Sequence, residues 1–359
     1  MNENYSIGID ASRAFLDQPT GIEKYSFAVI FFLRDFLADR EIILYVRANT
    51  KIPFSLPEKW KVREIGWKFL WTQGGLAFEM MRRPPNILFV PSHTIPWIHP
   101  KKTFVTIHGL EYEKCPEGYS FFSRFFLRLF TKWSLKRAYI LAVSQSTKKD
   151  LITYYGISKK RISVVYEGVN FLAFKKKEKI SKKIPYFVYI GRLEYRKNIV
   201  HIIEAFAIFR ERTQKKYRLI LVGKPGYGYK DIKKAMKKNS FSQDIIEKGY
   251  VTEQEKQLIL QGADALLFVS LAEGFGLPIL EAQMLKVPVI TSSIRVSREI
   301  AGKGALFVNP KDKKDSARKM MLITEDITKK YAIIKAGQEN VKRFSWKMCA
   351  KELAEVLLR

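Results

Sequence analysis

The stretch "LFVSLAEGFGLPILEAQ", Leu267 to Gln283, passes from an apolar run through a turn holding Gly274 and Gly276 into a segment opened by Pro278. Proline suits the first turn of a helix, where its missing N–H would be unpaired in any case. The glycines ahead of it let backbone approach a ligand closely. Unpaired N–H groups and the helix dipole at that point suit an anion, a phosphate above all. Glu281 reads as lying in the first helical turn, and Glu273 stands just before it. Carboxylates accept well from paired hydroxyls. The segment can therefore hold a phosphate between two polyols, which is the layout of a sugar nucleotide. In isolation it reads equally well as a capped helix with an acidic first turn.

Outward from this stretch, short apolar runs alternate with longer amphipathic ones. "YSIGIDA", "EIILYVRA", "NILFVPS", "TFVTIHG", "YILAVS" and "ISVVYEGV" read as strands in the first half. "PYFVYIGR", "YRLILVGK", "ALLFVS", "VPVITSS" and "GALFVN" do so in the second. Segments such as Ile199–Arg212 and Glu253–Gln261 have helical length and periodicity. This alternation predicts parallel sheets covered by helices on both faces. The pattern pauses at the charged stretch Asn170–Pro185, read as a linker between two Rossmann-like domains.

At 359 residues, two domains is the natural expectation, and 47% hydrophobic content supplies both with cores. Cys115 and Cys349 are far apart and in no metal-like spacing, which suits a reducing cytosol. "MNENYSIGID" lacks the pattern of a signal peptide, and no run of about 20 apolar residues predicts a bilayer span. The net charge of +29 suits polyanions, anionic lipid or phosphorylated substrates. Its clusters, such as 175–183 and 230–238, are scattered, as expected of solvated faces. No nucleic-acid motif is present, and no G-x-G-x-x-G follows the first strand, which disfavours a nicotinamide enzyme.

Ligands of open α/β sheets bind beyond the carboxyl ends of strands, so the residues following strands are the candidates. These include Gly21 before a helix, His108 after "FVTI", Ser144 after "LAV", and Gly191, Arg192 and Lys197 after "FVYI". Arg192 and Lys197 can neutralise a departing diphosphate.

Here the chain resembles glycosyltransferase family four, the retaining group with the GT-B fold. Glu273 to Glu281 is similar to that family's E-x(7)-E signature. "GRLEYRKN", "LILVGKPGYGY", "KGYVTEQEKQLILQGADALLFVSLAEGFGLPILEAQ" and "VPVITSSIRVSREIAGKGALFVNP" resemble its other blocks in order. So do "IGIDASRA", "TGIEKYS", "VTIHGLEYEKCPEGYS" and "AVSQSTKKDLITYYGISKKRISVVYEGVN", so that nearly the whole chain is covered. "GKPG", "TGIEKY" and "WTQGG" resemble the bacterial mannosyltransferase-like members of O-antigen and exopolysaccharide synthesis.

The resemblance implies an α/β, GT-B architecture of two Rossmann-like domains facing across a cleft. Residues 1–170 with a returning helix at 344–359 form the acceptor-side domain, and 171–343 the sugar-nucleotide domain. It implies transfer of a hexose, GDP-mannose being the first donor expected and UDP-glucose or a UDP-N-acetylhexosamine the next, to a saccharide or lipid-linked acceptor. Glu281 would hold the ribose, Glu273 the transferred sugar, and the amides of Phe275, Gly276 and Leu277 the sugar or phosphate. Arg192 and Lys197 would bind the diphosphate beside Gly191, and His108 the donor sugar. Tyr250 and Val251 would flank the base, with Gly21 near the phosphate and Ser144 also on the donor side. No metal or other cofactor is implied. "GIEKY" departs from the family by placing Glu23 where a glycine is usual, which requires that carboxylate to point away or pair with Lys24. A non-catalytic sugar-nucleotide-binding scaffold and an epimerase of the same fold are the rival readings.

"YSFFSRFFLRLFTKWSLKRA" (119–138) mixes aromatic and basic residues at helical spacing. It reads first as a domain helix packing its aromatic stripe on the sheet, and second as an interfacial helix on anionic lipid. The combined expectation is a cytoplasmic enzyme with peripheral contact at the inner membrane face.

Overall fold

The apolar runs form two parallel sheets in the computed structural model, which describes residues 5–169 and 184–359. The first half runs β1 (Ile7–Asp10), α1 (Gly21–Leu37), β2 (Ile42–Arg47), β3 (Trp60–Ile65), α2 (Ala77–Arg82), β4 (Ile87–Val90), β5 (Lys102–Ile107), α3 (Glu111–Lys114), α4 (Phe121–Arg137), β6 (Tyr139–Ala142), α5 (Gln145–Tyr155) and β7 (Ile162–Val164). The second runs β8 (Tyr186–Ile190), α6 (Ile199–Arg212), β9 (Arg218–Val222), α7 (Tyr229–Lys238), β10 (Ile245–Gly249), α8 (Glu253–Gly262), β11 (Ala265–Phe268), α9 (Leu277–Met284), β12 (Val289–Ser292), α10 (Arg295–Ala301), β13 (Leu306–Val308), α11 (Lys313–Glu325), α12 (Ile327–Val341) and α13 (Trp346–Leu358).

The sheets are ordered β3-β2-β1-β4-β5-β6-β7 and β10-β9-β8-β11-β12-β13, with every pairing parallel. Central strands are apolar on both faces because helices cover both, as β4 (ILFV) and β11 (ALLF) illustrate. Phe187, Leu219, Leu221, Leu266 and Val289 anchor the second core, each fully buried side chain contributing about 1.5–3 kcal/mol. The two strands unread in the sequence, β3 and β10, are both edges, and their polar, half-exposed faces break the apolar run.

The chain clusters into two units. Unit 1 takes the described residues of Met1–Leu110, Phe125–Asn170 and Phe344–Arg359, and unit 2 those of Glu111–Arg124 and Phe171–Arg343. Of the expected linker at 170–185, only Ile184 and Pro185 lie within the described residues, and the basic cluster 175–183 lies outside them. A division at residue 170 alone would leave Glu111–Arg124 in unit 1. Its contacts place it in unit 2, where Glu111 lies 3.9 Å from Arg196. Helix α13 packs on α1 within unit 1. Ser345 caps its start, the Oγ accepting the Met348 N–H at 3.1 Å.

The expected packing of the 119–138 aromatic stripe is not what forms. Helix α4 buries Thr131, Ser134 and Leu135 instead, and Ser134 Oγ accepts the Ile95 N–H at 3.1 Å. Small polar residues therefore make the close face, while Phe121 and Phe122 stand 78% and 72% exposed.

Leu353 of α13 is fully buried. Leu353→Ala should destabilise unit 1 by about 2–5 kcal/mol, read as a lower urea midpoint. An unchanged midpoint would show that α13 is not integral to it.

Candidate functional site

In unit 2 the strand order reverses between β8 and β11. Loops leaving such a pair part in opposite directions and open a crevice for ligands. The β8 loop carries Gly191 to Lys197, and the β11 loop carries Glu273 to the start of α9. The Leu271 N–H donates to Arg196 O at 2.8 Å, which ties the two loops together. The "GKPGYGY" loop after β9 lies against the first of them: Leu193 N–H donates to Lys224 O and Gly226 N–H to Leu193 O. Gly223 is required there, since its φ is +145° and a Cβ would stand 1.9 Å from Gly191 O.

Lys197, buried, and Glu273, whose side chain is 12% exposed, form a direct ion pair across the two loops. Arg196, which no spacing argument singles out, is the second cation. It lies 2.7 Å from Glu194 Oε1, 3.7 Å from Glu273 Oε2 and 3.9 Å from Glu111 Oε1. Burial opposes its charge, but Glu111, Glu273 and Glu194 together raise its pKa. Burial, reinforced by Arg196, lowers that of Lys197 against the pull of Glu273. Arg192 differs from both. Its side chain is 54% exposed, and its Nε is 3.7 Å from Glu194 Oε2. The structure thus provides two cations fixed by carboxylates and one extended toward solvent.

Glu281 sits in α9 and is also buried, with Oε1 2.5 Å from Lys256 Nζ on α8. Lys256 meets Glu253 at 2.8 Å as well, and although burial opposes it, Glu281 and Glu253 raise its pKa. Helix α9 starts at Leu277 with Pro278 in its first turn, and Gly276 before it has a φ of +110° that favours glycine. Phe275 is buried, so backbone rather than its ring is what it can offer a ligand. Tyr250 and Val251 follow the bulged end of β10, and Lys224 Nζ lies 4.6 Å from the Tyr250 ring centroid.

In unit 1, His108 follows β5, and both ring nitrogens are engaged: Nδ1 with Glu167 Oε1 and Nε2 with Pro91 O, each at 2.9 Å. Gly21 begins α1 with open space where a Cβ would be. Glu23 turns back onto the start of its own helix. It accepts the Thr20 N–H at 3.0 Å, closing a capping box, and pairs with Arg13 at 3.6 Å. Ser144 is fully buried as the N-cap of α5, accepting the Thr147 N–H at 3.0 Å. The site residues therefore fall into a unit 2 group (Gly191, Arg192, Lys197, Tyr250, Val251, Glu273, Phe275, Gly276, Leu277 and Glu281) and a unit 1 group (Gly21, His108 and Ser144).

Burial pushes the Glu273 carboxyl up, but Lys197 and Arg196 outweigh it and hold the group below its ordinary 4.5. With the folded pKa below the unfolded one, this stabilisation is complete above the unfolded value and is lost as pH falls through the folded value. Arg196→Gln removes one of the two cations. Acid unfolding should then begin at higher pH, and neutral-pH stability should fall by about 3 kcal/mol, as when a buried pair loses a partner. Urea unfolding between about pH 4 and about pH 8 checks both, and a mutant profile parallel to wild type would contradict the coupling.

Residues 170–340 match the family described as glycosyl transferases group 1, and residues 33–171 match glycosyltransferase family 4. The O-antigen chain mannosyltransferase RfbU of Salmonella typhimurium is 33% identical over 231 residues, 62% of this chain and 60% of that protein. O-antigen chain mannosyltransferase B of Escherichia coli is 29% identical over 167 residues, 46% of this chain and 44% of that protein. The matched chain thus spans less than two thirds of either relative. Among solved structures, sucrose-phosphate synthase from Thermosynechococcus elongatus superposes with a TM-score of 0.78 at 16% identity, covering 98% of both chains. The lipopolysaccharide glycosyltransferase WaaG does so with 0.75 at 12% identity, covering 98% of this chain and 99% of that one. These two likenesses concern the fold. With two consecutive family matches spanning 33–340 and two parallel-sheet units of the GT-B type, the chain belongs to the family four glycosyltransferases.

Proposed function

We propose that the protein is a retaining glycosyltransferase that moves a hexose from a nucleoside diphosphate sugar to a saccharide or lipid-linked acceptor of the cell surface. The observation that carries this reading is the Lys197–Glu273 pair at the reversal of the unit 2 sheet, beside the α9 start and Glu281. GDP-mannose is the first donor proposed, because the relatives named above are mannosyltransferases.

In this reading Glu281 accepts from the ribose hydroxyls and Glu273 from the transferred sugar, while the α9 amides meet the phosphate. The bond from the anomeric carbon to the diphosphate oxygen breaks as the acceptor oxygen bonds to that carbon on the same face. The acceptor proton passes to the departing phosphate oxygen, and the nucleoside diphosphate leaves. Arg192 and Lys197 stabilise the charge that develops on it, so neither a dedicated base nor a metal is needed in this scheme.

With labelled GDP-mannose and a lipid-linked saccharide fraction, the wild type should transfer mannose with the anomeric configuration retained. Arg192→Ala should lower kcat by about a hundredfold while changing the donor KM far less. Equal losses in both would contradict a role in leaving-group stabilisation. No transfer from GDP-mannose, with transfer from a UDP-sugar, would replace the donor.

The acceptor side of the proposal includes a membrane surface. No helix among the described residues is long and apolar enough to cross a bilayer. The exposed Phe121, Phe122, Phe125, Phe126 and Leu129 of α4 stand beside exposed Arg128, Lys132 and Lys136. Aromatic and basic residues in this arrangement suit an anionic lipid interface. The protein should float with phosphatidylglycerol vesicles, and Phe125→Ser with Phe126→Ser should abolish flotation. Undiminished flotation of that variant would remove α4 as the contact.

A further inference from the structure

Helices α4 and α5 border an open groove of about 370 Å³ within unit 1. Phe125, Arg128, Leu129 and Lys132 of α4 form one side, and Tyr154 and Tyr155 in the last turn of α5 form the other. The α4 residues are spaced i, i+3, i+4 and i+7, so they share one face of that helix. Apolar and cationic side chains alternate along it. The face that packs inward is a different one, made by Thr131, Ser134 and Leu135. Phe125, Leu129 and Tyr154 remain about half exposed, so the groove is lined but not filled.

The surrounding chain is strongly one-signed. From Phe125 to Tyr166 the sequence holds nine lysines and arginines and a single acidic residue, Asp150, which is buried. Three of the nine cations are committed to the fold. Arg161 donates to Leu135 O and Ala138 O, Lys148 donates to Ile162 O, and Arg137 stacks on the Trp133 ring. Arg128 and Lys132 are exposed instead and stand at the groove.

Such a lining suits an amphiphile. Arginine and lysine bind phosphate oxygens well, and phenol hydroxyls can donate to the same oxygens. Nucleic acid, an acidic peptide or a free phosphate would meet the cations and leave Phe125 and Leu129 in water. The volume is that of a small-molecule site, for which about 300–1,000 Å³ is usual. The apolar side also continues outward: the Phe126 ring, itself exposed, lies edge-on to Phe125 at 5.8 Å and stacks on Phe130 at 6.3 Å. Hydrocarbon leaving the groove therefore has an apolar surface to lie on.

We propose that the α4–α5 groove is a binding site for one anionic phospholipid, its phosphate between Arg128 and Lys132 and its acyl chains along Phe125 and Leu129. This deepens the reading of α4 as a membrane contact and rests on it. The contact is then a stoichiometric headgroup site, where a basic and aromatic face alone would give diffuse adsorption.

Charge-matched variants separate the two. Arg128→Gln with Lys132→Gln removes two cations from the groove. Lys159→Gln with Lys160→Gln removes two from beyond α5, outside the lining. All four side chains are exposed, so neither pair disturbs the core. Calorimetric titration of the full chain with monomeric dihexanoyl phosphatidylglycerol should show saturable, one-to-one binding. Dihexanoyl phosphatidylcholine, whose choline meets the same cations, should bind roughly tenfold more weakly or worse. Glycerophosphoglycerol, the headgroup without its chains, should do the same. The groove pair should lose roughly ten- to a hundredfold in affinity for the phosphatidylglycerol, and the outer pair should stay within about twofold of wild type.

Equal losses in the two pairs, a titration that does not saturate, or equal affinity for the two lipids would overturn the groove as a site. So would glycerophosphoglycerol binding as tightly as the lipid, since the apolar side would then contribute nothing. Flotation of the wild type with phosphatidylglycerol vesicles would, in each of those cases, leave α4 a membrane surface. A wild type that neither floats nor binds the short-chain lipid would overturn both.

Discussion

Two lysine–glutamate pairs, Lys197–Glu273 and Lys256–Glu281, hold the ends of the segment that opens α9. Burying charges is costly unless each is paired, and removing one leaves its partner stranded in a low-dielectric site. The pairs therefore act as constraints on geometry. Lys197 brings the β8 loop to the β11 loop, and Lys256 fixes α8 against α9. The remaining elements of unit 2 serve that arrangement. Gly223 lets the β9 loop lie on the β8 loop, and Arg196 gathers Glu111, Glu194 and Glu273 around one guanidinium.

One consequence concerns charge. The chain carries +29 overall, yet the cluster around Glu273 is nearly balanced, with Arg192, Arg196 and Lys197 set against Glu111, Glu194 and Glu273. The surplus lies elsewhere, on solvated faces such as α7 and on the basic side of α4. The site is consequently selective by position more than by bulk potential: Arg192 is the member of the cluster that extends into solvent.

Most of the fold was legible because parallel strands covered on both faces leave unbroken apolar runs. Edge strands leave none, and β3, with Lys61, Arg63 and Glu64 along it, was missed for that reason. The glutamates, Lys197 and the glycine turn were visible from local spacing and family resemblance. Arg196 and Lys256 were not, because their meaning depends on contacts with residues distant in sequence, 25 positions in the case of Lys256 and Glu281. The same limit explains α4. Periodicity identified its aromatic stripe, but which face would pack was decided by Ser134 meeting the Ile95 amide, a contact no spacing announces.

The proposed function requires that Glu273 and Glu281 grip a sugar nucleotide. Isothermal titration of the purified protein with GDP-mannose, UDP-glucose, UDP-N-acetylglucosamine and NAD, repeated for Glu281→Ala, tests it most directly. One sugar nucleotide should bind the wild type, and Glu281→Ala should lose it. Undiminished binding by Glu281→Ala, or binding of NAD in place of every sugar nucleotide, would contradict it.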